Sequence, residues 1–221
     1  MLMAELSRRS GVPVATIKYY LREGLLPSGE ATSATRADYG EPHLRRLRLI
    51  RALLEIGEVP LAGIGHILAT VDDESVGLHE VLGTVQYALG PHLTPPAEEE
   101  PYWQAARREV DRLIADLGWC VAADAPARTL LAGTVAALRR TGSAPAGAGL
   151  VGYAEALRPL ADLEVASLDA AAQPEPGGPD HPDRVGYGES AVVGIVLYER
   201  VIIALRRLAQ EDASARYFGD R

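Results

Sequence analysis

Residues 3–27 read MAELSRRSGVPVATIKYYLREGLLP, and their pattern predicts two short helices that meet at a glycine. The first covers Met3–Ser10 and is ended by Gly11. Pro13 restarts the chain, because its missing N–H falls in a first helical turn, where that amide has no intrahelical partner anyway. In the second helix Val14, Ile17 and Leu21 fall at i, i+3 and i+7 and form an inward stripe. Ala15, Thr16, Lys18, Tyr19 and Arg22 then face outward, with Tyr20 nearer the inside. A helix seated by one face and polar on the other suits a major groove. Lys18 can neutralise a phosphate or meet a guanine edge, and Thr16 and Tyr19 can hydrogen-bond phosphates or base edges.

Working outward, residues 25–39 have no helical period and contain Pro27, Gly29 and several Ser and Thr, which predicts a small β-wing. A third helix follows over about 41–56, with Leu44, Leu47 or Arg48, Ile50 and Leu54 on its inner side, and Gly57 ends it. Pro60 opens a fourth through Ile64, Ile67 and Leu68. Arg45, Arg46, Arg48 and Arg51 form a basic run beside the wing. Such a run is either a solvated face or a source of phosphate contacts.

Several linked blocks give the first 70 residues a family look. They are Glu5-Leu6 with Gly11-Val12, Thr16-Ile17-Lys18-Tyr19-Tyr20, Gly24-Leu25-Leu26-Pro27, and Tyr39 ahead of Leu44, Leu47, Arg48 and Ile50. In these the chain resembles the MerR family of bacterial regulators. The resemblance implies a winged helix-turn-helix that binds double-stranded promoter DNA as a homodimer, with Thr16, Lys18, Tyr19, Tyr20, Arg22, Arg36, Tyr39, Arg45 and Arg48 as DNA contacts. It also implies an antiparallel pair of helices after the fourth helix. Regulators of this kind distort an over-long promoter spacer so that RNA polymerase engages both elements. The chain departs from the family pattern in places: Ala15 stands where the family carries Arg, the wing runs Thr35-Arg36-Ala37-Asp38-Tyr39 with its Arg shifted by one, and Gly40 replaces a Ser or Thr cap.

Beyond the acidic break at 72–74, helices are predicted over about 75–89, 102–117, 126–140, 149–171 and 189–211, with a Pro- and Gly-rich loop at 173–182. The expected class is mainly α: a winged helix-turn-helix over 1–72, a dimerisation helix over 73–93, a linker over 94–101 and an all-helical effector domain over 102–221. Leu78, Val81, Leu82, Val85 and Leu89 make the dimerisation stripe, which would fit a core helix equally well. The apolar run 191–208 is expected at the centre of the effector domain.

Net charge is −8, but it is unevenly spread. Residues 1–71 hold nine Lys/Arg against seven Asp/Glu, and 72–221 hold thirteen against twenty-three. Only the first part is therefore expected to approach phosphates. The single Cys120 excludes a disulfide framework and a thiolate cluster, and is expected to be a small buried residue beside Trp119. His43, His66, His79, His92 and His181 are scattered without i, i+4 pairing, so neither metal nor cofactor is expected. No leader or long apolar span opens the chain, which points to a cytoplasmic protein without membrane contact. Gly-rich phosphate loops and Gly-x-Ser-x-Gly are missing, which argues against an enzyme. The remaining question is the input. Either a small molecule enters a pocket lined by Tyr102, Trp103, Trp119, Tyr153 or Tyr198, or a protein partner docks on the acidic half. Glu155, Glu189 and Glu199 sit amid apolar helix, where each either faces a cationic ligand or is paired or solvated.

Overall fold

Gly11 turns the chain between α1 (Met3–Ser10) and α2 (Val14–Arg22) with φ of 70°, a conformation that costs a residue with a Cβ. Its N–H donates to the Ser7 carbonyl (3.0 Å). The serines on either side complete the turn. Ser7 Oγ donates to the Val12 carbonyl at 2.6 Å, and the Val12 N–H donates to Ser10 Oγ at 3.2 Å. The computed structural model describes residues 1–33, 36–89, 93–94, 100–143, 149–172 and 184–219.

After α2 the chain forms an antiparallel hairpin, β1 (Glu30–Ser33) and β2 (Arg36–Asp38), in which Glu30 pairs with Asp38 and Ala31 with Ala37. This is the expected wing. α3 (Glu41–Glu55), α4 (Leu61–Asp72) and α5 (Leu78–Ala88) follow. Gly40 supplies no capping side chain to α3. His43 replaces part of what is lost: its Nδ1 accepts from the Gly40 N–H at 3.0 Å, which leaves Nε2 facing the Ser28 carbonyl at 3.4 Å. The wing and α3 are thereby joined at their base.

The chain divides into two compact units, Met1–Leu89 with Ala172–Arg221, and Gly90–Ala171. This corrects the expected boundary at 102. The last helix, α9 (Arg184–Phe218), lies in the first unit and packs on α3, α4 and α5. Val192 and Val196 join one core with Leu6, Ile17, Leu26, Leu44, Leu47, Ile50, Leu53, Ile64 and Val85. Burying a valine contributes roughly 1.5–3 kcal/mol, so the two anchor α9 firmly. Gly57 makes this possible. A Cβ there would lie 2.4 Å from Val196 Cγ1 and 2.8 Å from the Leu53 carbonyl oxygen, so a glycine is needed where α9 crosses. Of the α5 stripe, Val81 and Val85 are buried in the core of their own unit, while Leu78, Leu82 and Leu89 are half-buried.

The second unit holds α6 (Pro101–Asp116), α7 (Pro126–Arg140) and α8 (Gly149–Ala172). α6 and α7 form a hairpin with a narrow core of Trp103, Ala106, Val110, Ile114, Ala132, Val135 and Ala136. Glu100 caps α6, its Oε2 accepting from the Trp103 N–H at 2.9 Å. The predicted loop 173–182 lies outside the described residues, as does most of the linker. Among the described residues no helix is long and apolar enough to cross a membrane.

Candidate nucleic-acid interface

α2 is held by Ile17 and Tyr20, both buried, with Leu21 packed against the same core. Three side chains on its other face are open to solvent or nearly so: Lys18 and Arg22 exposed, and Thr16 half-buried. Tyr19 is half-buried and lies under the Arg22 guanidinium, whose Cζ is 5.2 Å from the ring centroid. That contact contributes about 0.5–1 kcal/mol at an exposed site and holds Arg22 along the helix surface. The Arg22 Nε–H also donates to Glu23 at 3.2 Å. Ala15 is exposed on this side and leaves an open patch between Thr16 and Lys18.

Two of the expected contacts belong to the interior. Tyr20 is only 6 % exposed, and burial, together with Glu55 and Tyr19, raises its phenol above the ordinary value of 10.0 against the opposing pull of Arg51. Tyr39 is 7 % exposed and stands edge-on to His43, with centroids 5.2 Å apart. Its backbone is bound to Met1, whose ammonium donates to the Tyr39 carbonyl at 2.7 Å. Both tyrosines seat the interface elements instead of projecting from them. In a motif of adjacent tyrosines, helical geometry turns the second one inward. Arg36 is exposed on β2 and stands at the wing edge as expected.

The basic run on α3 separates into four roles. Arg51 secures the helix-turn-helix: Nη1 donates to the Ser10 carbonyl at 3.2 Å, while Nε and Nη2 bind the Glu55 carboxylate at 2.8 and 3.0 Å. That fork holds the Glu55 carboxyl below its ordinary 4.5. Arg46 is buried between two acids, its Nε donating to Glu189 and its Nη1 to Asp72 at 3.0 Å, with Nη2 on the same carboxylate. Burial alone would lower its pKa, but the hydrogen bonds and charges of Asp72 and Glu189 outweigh it and raise the value. Arg45 Nε donates to the other oxygen of Glu189 at 2.6 Å, so an expected phosphate contact is committed to a carboxylate. Arg48 is exposed. Sequence reading left Glu189 open between ligand and pair. The available signal was a lone acid among Gly188, Ala191 and Val192, a setting in which a buried carboxylate requires cations.

Of the five aromatics expected to line a ligand pocket, two share a core. Trp103 is buried in the hairpin core with Trp119 against it, Tyr102 and Tyr153 are exposed, and Tyr198 stands on α9 in the other unit. A crevice beside Trp103 and Val110 holds about 10 Å³, room for about one water. Cys120, expected to be buried, is exposed: Gly118 ends α6 with φ of 65°, and while Trp119 turns inward the next residue points away. Among the described residues no group of three His, Cys, Asp or Glu side chains could hold a metal. His92 and His181 lie outside them.

Residues 1–71 match the family described as MerR HTH family regulatory protein. Among solved structures, the chain is similar to SCO5550 of Streptomyces coelicolor A3(2), a protein described as a transcriptional regulator. The two share 40 % identity over 100 % of this chain and 99 % of that one, with a TM-score of 0.73. This chain belongs to the MerR family. No curated protein matches it. As a MerR-family member it is a DNA-binding transcriptional regulator, and its mainly helical architecture with one small hairpin agrees. The similarity to SCO5550 runs through both units and so is not confined to the helix-turn-helix.

Proposed function

We propose that this MerR-family regulator binds promoter DNA as a homodimer, with α2 in the major groove and the wing on the adjoining sugar-phosphate backbone. The observation that carries the reading is the two-sidedness of α2. Ile17 and Tyr20 fix it to the core while Thr16, Lys18, Tyr19 and Arg22 remain on the surface. Arg36 on the wing and Arg48 on α3 extend the same set toward phosphates, and Arg45 serves the fold through Glu189. A small-molecule signal acting through residues 90–171 belongs to the same reading, supported by the separate core of that unit. Engagement of RNA polymerase at the bound promoter completes it.

The test is fluorescence anisotropy on the gene's own upstream DNA across a salt series. Lys18→Ala with Arg36→Ala is expected to weaken binding roughly 10- to 100-fold and to flatten the salt dependence, because each change removes a cation from the duplex. Equal affinity of the wild-type protein for its upstream region and for random duplex would overturn the reading. Thermal shift of the second unit against a metabolite set tests the input.

A further inference from the structure

A cleft between α3 and α9 lies wholly within the first unit. It holds about 240 Å³, against about 10 Å³ for the crevice beside Trp103. An apolar cavity of roughly 150 Å³ accepts a benzene ring, so this one has room for a ring with a short chain. Leu49, Ala52 and Val193 form its apolar wall, and Arg45, Arg48, Glu189 and Ser190 line the remainder. Ser190 has already given its hydroxyl proton to the Gly186 carbonyl at 2.8 Å. The charged groups therefore set which ligands the cleft accepts.

Glu189 is buried, and each of its oxygens already accepts from a guanidinium, Oε1 from the Arg46 Nε–H and Oε2 from the Arg45 Nε–H at 2.6 Å. A cationic ligand would have to compete with both arginines for that carboxylate. An anion meets no such competition. In the group formed by Arg45, Arg46, Arg48, Asp72 and Glu189, three cations face two carboxylates, an excess of one positive charge. Arg48 carries that excess: it is exposed and makes no hydrogen bond or ion pair with the described residues. One unpaired guanidinium thus stands at the edge of an apolar wall.

We propose that this cleft binds an amphipathic monocarboxylate, a single carboxylate on a ring or short chain of roughly six to ten carbons. The carboxylate pairs with Arg48, whose planar N–H fork matches two carboxylate oxygens, and Arg45 adds positive potential beside it. The hydrocarbon part lies along Leu49, Ala52 and Val193. This site is separate from residues 90–171, to which the reading above assigns the signal. Its occupancy has one consequence that rests on the DNA reading. Arg48 is counted there among the cations that meet phosphate, so a bound carboxylate withdraws one cation from the duplex.

Saturation-transfer NMR on the full chain tests the site, with phenylacetate and hexanoate as probes. Both should bind with a Kd of about 1 mM or tighter. Acetate, which lacks the apolar part, and phenethylamine, which reverses the charge, should bind about tenfold more weakly or not at all. Arg48→Ala should weaken the probes about tenfold, and Arg48→Lys should restore only part of the loss. Ala52→Leu fills the apolar wall while both arginines stay in place, and should abolish the transfer signal. Arg48 is exposed and Ala52 half-buried, so the melting temperature of each variant should hold. Phenethylamine binding as well as phenylacetate, or probe affinity unchanged in both the Arg48→Ala and Ala52→Leu variants, would overturn the proposal. At matched ionic strength, saturating phenylacetate should also weaken wild-type binding to upstream DNA by about fivefold. DNA affinity that stays fixed while the probe binds would overturn the competition for Arg48. A probe-free protein without preference for its upstream DNA would instead overturn the DNA reading, and the NMR result would stand by itself.

Discussion

The two units solve the same problem, covering short helices, by different means. In the first, large aliphatic side chains from six helices converge, and a charged clamp of Arg45, Arg46, Asp72 and Glu189 lies at the junction of α3, α4 and α9. In the second, alanines at 106, 132 and 136 let α6 and α7 approach closely around Trp103, and α8 keeps Val151, Leu157, Leu163 and Val165 largely exposed. The first unit therefore depends on residues far apart in sequence, and the second on neighbours in a hairpin. A single change near residue 190 should be felt by α3 and α4, whereas a change in α6 should stay local.

The sharpest way to break this contrast is Glu189→Ala. It leaves buried Arg46 with one acid instead of two and removes the Arg45 contact to the same carboxylate, and should cost the first unit about 3 kcal/mol or more. Calorimetry should show its transition lowered while that of the second unit stays in place. A uniform shift of both would mean that the units unfold as one. Next in size, Trp103→Ala should cost the second unit about 3 kcal/mol, since it empties the largest side chain from a core already bordered by a crevice. DNA affinity should hardly change, and a loss beyond about threefold would tie the hairpin to the interface.

The smallest effect concerns acid stability. The Arg51 fork depresses the Glu55 carboxyl, so its stabilising contribution is present above the ordinary 4.5 and is lost as pH falls through the lower folded value. Glu55→Gln should make the first unit slightly less stable at neutral pH and less sensitive below about pH 4.5, as read by melting temperature against pH. An unchanged acid limb would show that the fork, exposed as it is, contributes nothing measurable.

The order and limits of α1 to α4 and the wing were legible because each carries local punctuation: Gly11, Pro13, Gly24, Gly57 and Pro60. Lys18, Arg22 and Arg36 could be placed on the surface from helical phase and turn position alone. The destination of α9 could not be read, because period and composition say that a helix is apolar and do not say against what it packs. The same ambiguity holds for the α5 stripe, of which Val81 and Val85 face the core of their own unit. Arg45 and Arg46 were legible as charges only. Their commitment to Glu189 spans 144 and 143 residues, a distance no local pattern encodes. Trp103 and Trp119 joined a core for a related reason, since residues rich in contact area are as useful to a core as to a pocket.

The placement of Val192 and Val196 bears on how the molecule is made. The helix-turn-helix leaves the ribosome before α9, so the surface of α3 and α4 that α9 covers must wait for more than a hundred further residues, roughly 6 to 25 s at ordinary elongation rates. Nascent and prematurely terminated chains thus display an apolar scar that finished molecules lack, a mark by which proteolytic surveillance can remove half-made regulators before they reach a promoter.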